Sequence, residues 1–181
     1  MILVIHGTNR TASQSKPVSD YVQNYLTGKY KGEVKLLDLA TIPMTAFESS
    51  NMYHSDQLST AIINIQTELM IPATKIVFIS PEYNGSIPGI LKLFIDACSV
   101  SDAKASFYHK KALLIGIASG RAGNLRGMDH LSSILMYMNM VVYPNKLPIS
   151  RIETLIDENN TLSDLGTIHI LTSLLNEFLE F

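Results

Sequence analysis

The sequence predicts an α/β fold: a three-layer α/β/α sandwich around a five-stranded parallel sheet. Three observations carry this. Short apolar runs alternate along the chain with segments of helical spacing. The runs are continuous rather than alternating, as strands covered on both faces are. Three of them open into loops rich in glycine, hydroxyl, amide and arginine groups, and a parallel sheet gathers such loops at one end.

The elements follow in order. Met1-Ile2-Leu3-Val4-Ile5 is the first strand. Residues 17–26 form a helix with Val18, Tyr21, Val22, Tyr25 and Leu26 on one side and Pro17 near its start. Residues 34–39 form the second strand, with Asp38 a carboxylate at its end. The long connection over 40–56 carries Pro43, Met44, Phe47 and Tyr53, and offers a pocket wall or a subunit contact. A second helix spans 57–70, with Leu58, Ile62, Ile65 and Leu69 on one face and Pro72 beyond its end. Residues 75–79 are the third strand, and a helix starts near Pro88 or Gly89. Cys98 on that helix is a small buried hydrophobe. Residues 110–117 give the fourth strand, 125–138 a helix despite Gly127, and 139–144 the fifth strand. Residues 163–178 form the last helix, with Leu165, Ile168, Leu171, Leu174, Leu175 and Phe178 on its apolar side.

Composition narrows the function classes. The chain has 181 residues, 46% of them hydrophobic, and a formal net charge of −2, the proportions of one domain over 1–181. No basic run with interleaved aromatics is present, which argues against nucleic acid as a partner. One cysteine excludes an internal disulfide framework or a cysteine metal cluster, and the five histidines have no ligand spacing. The apolar runs are too short to span a bilayer, and residues 1–5 enter a core strand without a signal-peptide pattern. A cytoplasmic protein without membrane contact is the expectation.

The first loop, Gly7 to Ser15, holds hydroxyls at Thr8, Thr11, Ser13 and Ser15 and the guanidinium of Arg10. A helix N-terminus stands behind it with unpaired N–H groups. One reading is a pocket for a phosphate monoester, gripped by Arg10. The other is a helix capped by Ser13 or Ser15 with Arg10 in solvent; the cap is expected in both. The loop has neither Gly-x-Gly-x-x-Gly nor Gly-x-x-x-x-Gly-Lys-Ser/Thr, so a dinucleotide-first site and a P-loop are disfavoured. The second loop, Ser80-Pro81-Glu82-Tyr83-Asn84-Gly85-Ser86-Ile87-Pro88-Gly89, is stiffened by two prolines. Tyr83 offers a flat face and a hydroxyl, Asn84 a donor and an acceptor, and Gly85 a close backbone approach. The third loop is Ala118-Ser119-Gly120-Arg121-Ala122-Gly123-Asn124-Leu125-Arg126-Gly127, where Gly120 and Gly123 permit close backbone approach and Arg121 and Arg126 add positive charge. Strand order 2-1-3-4-5 makes one crevice of the three, and is adopted for that reason. His6 reads as a hydrogen-bonding residue at a strand end. No base can be assigned to Ser13 or Ser86, so a serine hydrolase is disfavoured.

Taken together, Gly7-Thr8-Asn9-Arg10-Thr11-Ala12-Ser13-Gln14-Ser15, Pro81-Glu82-Tyr83-Asn84-Gly85-Ser86-Ile87-Pro88-Gly89 and Ser119-Gly120-Arg121-Ala122-Gly123 resemble the NAD(P)H-dependent FMN reductase family. This flavodoxin-like group includes quinone, azo-dye and chromate reductases. The resemblance runs to about Pro144. It implies FMN as cofactor, NADPH or NADH as co-substrate, and electron delivery to a quinone, azo compound, free flavin or metal oxyanion. It assigns the FMN phosphate to Thr8, Arg10, Ser13 and Ser15. The isoalloxazine falls to Pro81, Glu82, Tyr83, Asn84 and Gly85, and its pyrimidine side to Ser119, Gly120 and Gly123. No side chain is assigned as a catalyst. A homodimer or homotetramer is implied. Ser15 stands where the family has Asn, and Asn124 where a second Gly is common. A flavodoxin-like carrier exchanging electrons with proteins is the alternative.

Overall fold

The structure is a computed structural model that describes residues 1–181, the side chain of Asn51 excepted. The sheet order is β2-β1-β3-β4-β5, with a sixth strand also paired to β4. All pairings are parallel. The strands are β1 (Ile2–His6), β2 (Val34–Asp38), β3 (Lys75–Pro81), β4 (Lys111–Ile117), β5 (Val141–Val142) and β6 (Leu147–Ile149). The helices are α1 (Lys16–Lys29), α2 (Ser49–Met52), α3 (Thr60–Ile65), α4 (Gly89–Val100), α5 (Ala103–Phe107), α6 (Leu125–Tyr137) and α7 (Leu165–Glu180).

The continuous apolar strands are covered on both faces. Along β1, Ile2 and Val4 point to α1 and α7, where they meet Val18, Val22, Leu26, Leu171, Leu175 and Phe178. Leu3 and Ile5 point the other way, onto Ile62, Met70, Leu91, Phe94 and Leu131. β3 splits likewise, Val77 and Ile79 to the first side and Ile76 and Phe78 to the second. This period of two puts one strand into two cores. Phe78, Phe94, Phe107 and Phe178 are fully buried, each worth about 1.5–3 kcal/mol of apolar transfer. Cys98 is buried in the same core, and burial pushes its thiol up out of the nucleophilic range.

Several expectations change. The fifth strand predicted over 139–144 shrinks to Val141–Val142, because Asn139 is left-handed (φ 58°) and Pro144 has no N–H to give. The chain leaves the sheet and returns as β6, which pairs with Ile115–Ile117 further along β4. Pro148 is tolerated there because β6 is an edge strand. The helix expected from 57 starts at Thr60, where Ser59 accepts from the Ala61 amide. It passes into a π-helical turn, Gln66–Met70, closed by the Ile71 amide on Gln66 O at 2.8 Å. Gln66 is buried there and donates to Cys98 O, Ser101 O and Ser106 Oγ. Helix α5 has no counterpart in the sequence reading. The 40–56 connection holds short helical turns, with Ala46, Phe47 and Met52 buried and Met44 and Tyr53 exposed.

Two lysines secure the final helix. Lys75 Nζ, at the start of β3, donates to Phe178 O at 2.9 Å and also to Leu179 O, and Lys111 Nζ donates to Phe181 O. Cations are favourable at a helix C-terminus, where carbonyls lack partners. Among the described residues no helix is long and apolar enough to cross a membrane.

Candidate functional site

Parallel pairing of β1, β3 and β4 brings the loops 7–15, 82–88 and 118–124 to one edge of the sheet. They meet around a cavity of 80 Å³ lined by Arg10, Ser13, Gln14, Ser15, Pro81, Glu82, Tyr83, Ile117, Ala118, Ser119 and Ile152. Sites that enclose a drug-sized ligand span roughly 300–1,000 Å³, so this space suits only one small group. A whole flavin is larger than this cavity. Larger hollows exist: one of 670 Å³ lies between α6, α7 and residues 144–147. It contains none of the three loops' functional groups, so chemistry rather than volume selects the site.

Seven of the expected residues therefore share one lining: Arg10, Ser13, Ser15, Pro81, Glu82, Tyr83 and Ser119. Thr8 stands behind them, fully buried, where its hydroxyl pairs with Tyr83 Oη at 2.9 Å and accepts from the Arg10 amide at 3.2 Å. This ties the first loop to the second. Asn84 is exposed, and Asn84 and Gly85 both have positive φ (52° and 76°). Tyr83 and Ser86 exchange backbone bonds around them. Asn-Gly between two such partners is a tight hairpin turn, which explains these residue types without a ligand. Gly120 is exposed at the rim. Gln14, Ile117, Ala118 and Ile152 line the cavity without having been expected; they adjoin motif residues in the chain or approach from the loop after β6.

Gly123 works at a distance. It is buried with φ 58°, its own Cβ would lie 2.7 Å from Pro148 C, and its carbonyl oxygen lies 2.5 Å from where a Gly116 Cβ would be. The third loop is thus wedged between β4 and β6. Asn124 keeps the left-handed conformation (φ 66°) that Asn tolerates, and its Nδ2 donates to Ser80 O at 2.9 Å. It locks the third loop to the end of β3.

The first loop departs from the expected cap. Ser15 occupies the N-cap position of α1, but its side chain caps nothing. Its hydroxyl instead lies 2.8 Å from His6 Nε2 and 2.7 Å from Ser13 Oγ. His6 Nδ1 is 2.9 Å from Asp38 Oδ1, which also accepts from the Ala40 amide. His6, Ser13 and Ser15 are buried. Asp38, His6, Ser15 and Ser13 thus form one hydrogen-bonded row ending at the cavity. The sequence reading placed His6 at a strand end but supplied no partner for it. Ala12 in the same loop has φ 52°, a strain of about 1–3 kcal/mol held by its surroundings. Arg10 is exposed and takes no part in the ion pairs found among the described residues. His130 pairs with Ser86 Oγ at 2.7 Å on the surface.

The donor set fits a flavin mononucleotide. An unpaired guanidinium and buried hydroxyls face a hole of phosphate size, next to an aromatic side chain fixed by its own hydroxyl. Arginine and hydroxyl donors suit a terminal phosphate.

Comparison with known proteins agrees. The chain is 22% identical over 180 residues to NADPH-dependent FMN reductase ArsH of Rhizobium meliloti, covering 99% of this chain and 71% of that protein. It is 23% identical over 178 residues to 2-hydroxy-1,4-benzoquinone reductase of a Burkholderia species, covering 98% and 93%. Among solved structures, the flavoenzyme NAD(P)H:(acceptor) oxidoreductase FerB of Paracoccus denitrificans superposes with a TM-score of 0.77 at 20% identity, over 99% of this chain and 94% of that one. The model of the family described as NADPH-dependent FMN reductase matches residues 1–154. The chain belongs to that family of oxidoreductases, which implies FMN as cofactor and NADPH or NADH as reductant.

Proposed function

We propose that residues 1–181 act as one FMN-binding unit that passes electrons from NADPH or NADH to a small acceptor such as a quinone or azo compound. The observation that carries this is the convergence of Arg10, Ser13 and Tyr83 on one phosphate-sized cavity at the β1–β3 edge. Ligands of open parallel sheets sit at such an edge. Arg10, Ser13 and Ser15 hold the phosphate, and Thr8 supports them through Tyr83. Pro81, Glu82, Tyr83, Asn84 and Gly85 form the wall against the isoalloxazine ring. Ser119 and Gly120 stand at its pyrimidine side, kept there by the wedge at Gly123. When bound, FMN supplies the hydride chemistry between nicotinamide and acceptor. The chain's own work is to fix the ring, to neutralise the phosphate and to leave one ring face open.

The acceptor class is supported by the relatives, one of them a benzoquinone reductase and another, 26% identical over 147 residues, an NADPH azoreductase of a Bacillus strain. Free flavin and metal oxyanions remain as further acceptors to assay. A homodimer or homotetramer, with residues 40–56 at the contact, completes the reading, together with a cytoplasmic location. Exposed Met44 and Tyr53 support that contact; sedimentation of a flavin-loaded monomer would count against it.

The test is to load the protein with FMN, remove the excess, and add NADPH or NADH without oxygen. Retained flavin that bleaches promptly and recovers on adding a quinone supports a reductase. Retained flavin that nicotinamide does not bleach favours the electron carrier. Flavin that is not retained refutes the site.

A further inference from the structure

The row Asp38–His6–Ser15–Ser13 has a direction, and that direction depends on one proton. This argument rests on the phosphate reading given above. Each serine hydroxyl carries one hydrogen, so each can donate only once. An ionised Asp38 only accepts, so His6 Nδ1 carries a hydrogen toward it at 2.9 Å. His6 Nε2 then has two options toward Ser15 Oγ at 2.8 Å.

If the imidazole is neutral, Nε2 is an acceptor and the Ser15 hydroxyl must donate to it. Ser13, 2.7 Å away, must then donate to Ser15. What Ser13 shows the cavity is a lone pair, which repels an anion. If Nε2 is protonated, the His6–Asp38 bond is unchanged and the bonds through Ser15 reverse. His6 donates to Ser15, Ser15 donates to Ser13, and the Ser13 proton is free to enter the cavity. The Ser15 amide donates to Ser13 Oγ at 3.4 Å in either state; in the second, Ser13 accepts twice and gives its only hydrogen to the ligand. With a neutral imidazole the Ser13 hydrogen is committed to Ser15; only protonation of Nε2 releases a serine hydrogen from the row for the cavity.

We propose that phosphate binding and protonation of His6 are coupled: FMN is taken up together with one proton from solvent, which resides on His6 Nε2 and turns the Nδ1 contact with Asp38 into an ion pair. His6 and Asp38 are then positioning residues that act on the phosphate through Ser15 and Ser13. The buried charge is not isolated. Asp38 faces it from β2, while β3 brings only Ile79 alongside. Across the cavity stand Arg10, Glu82 and the Tyr83 hydroxyl, and on α1 the nearest cation, Lys16, is paired with Asp20. A dianionic phosphate beside Ser13 favours the added positive charge, and linkage makes the effect reciprocal. Imidazole is the side chain whose charge changes in this pH range.

The sign follows. The bound state holds more protons, so FMN affinity falls as pH rises above 7. One linked proton sets a limit of about tenfold in Kd per pH unit. Phosphate monoesters themselves titrate near about pH 6, so the measurement belongs above pH 7, where the ligand stays dianionic.

The experiment is calorimetric titration of the apoprotein with FMN between pH 7 and 9, in buffers of different ionisation enthalpy, beside riboflavin as the ligand without phosphate. Expected are net proton uptake with FMN, none with riboflavin, and a Kd that rises with pH. Ser15→Ala, a small change that cuts the row while keeping His6 and Arg10, should weaken FMN and flatten the pH dependence. Histidine nitrogen NMR of the unmodified protein reads the proton at His6 Nε2 directly and needs no variant. A neutral His6 in the FMN complex at pH 7, or equal proton uptake in Ser15→Ala and the unmodified protein, would overturn the coupling. If Arg10→Ala weakens FMN but proton uptake is absent, the coupling alone fails. If FMN and riboflavin bind alike and Arg10→Ala changes neither, the phosphate site fails with it.

Discussion

Gly116→Ala tests whether the third loop is held by contact with the sheet. Gly116 lies in β4, between Ser80 on β3 and Pro148 on β6. A Cβ there would lie 2.5 Å from Gly123 O and 2.9 Å from Met128 Sδ and Cε. The methionine is flexible and can swing away. The carbonyl cannot, because Gly123 is pressed against Pro148 from the other side, with a virtual Cβ contact of 2.7 Å. An ordinary contact begins at 3.4 Å, so loop or strand must yield by 0.9 Å. Overpacking of this kind costs about 1–3 kcal/mol. Ser119 and Gly120, on the same loop, would be displaced by a similar distance, and misplacements near 1 Å cost up to about a hundredfold in function. Urea unfolding and FMN titration of the variant should therefore show a lower midpoint and FMN affinity reduced by about tenfold or more. Unchanged stability with unchanged FMN affinity would refute the wedge.

Three further outcomes are expected. Phe178→Ala, in a helix beyond the family-matched residues, should lose about 3–5 kcal/mol in denaturant unfolding, because its ring is fully buried and packs 5.9 Å from Tyr143. Lys110 Nζ donates to Met70 O, Ile71 O and Ala73 O; Lys110→Met should cost about 1–3 kcal/mol by leaving buried carbonyls unpaired. Burial holds Lys110 below its ordinary value. The folded state therefore sheds the proton first, and this group adds stability as pH rises from its lowered value toward 10.5. The methionine variant should lack that alkaline gain in unfolding measured across pH. Arg121→Ala should raise KM for NADPH more than for NADH if exposed Arg121 meets the ribose phosphate; identical changes in steady-state kinetics would remove that role.

Much of the architecture is legible because burial writes itself into local sequence. Residues 2–5, 76–79 and 112–115 are apolar without a break since helices cover both faces of each strand. The strand ends, with their loops, are legible for the same reason: polar and glycine residues begin where cover stops. In the second loop Asn84 and Gly85 are residue types that a hairpin turn already requires, so its chemistry rests mainly on Pro81, Glu82 and Tyr83.

What the sequence by itself determined is the first four strands, the three unusual loops that follow strands one, three and four, and the residue types offered to a phosphate. What only the tertiary structure decided is which of these groups touch. His6, Ser15 and Asp38 are separated by 9 and 32 residues, and no periodicity reports that β1 and β2 pair in the register that sets His6 beside Asp38. The same holds for the Thr8–Tyr83 bond across 75 residues and for the return of the chain as β6, where Pro148 meets Gly123. Hydrophobic pattern is a local record of which face is covered. Hydrogen-bond partnership across a sheet depends on register and strand order, and these are fixed only when the whole chain has folded.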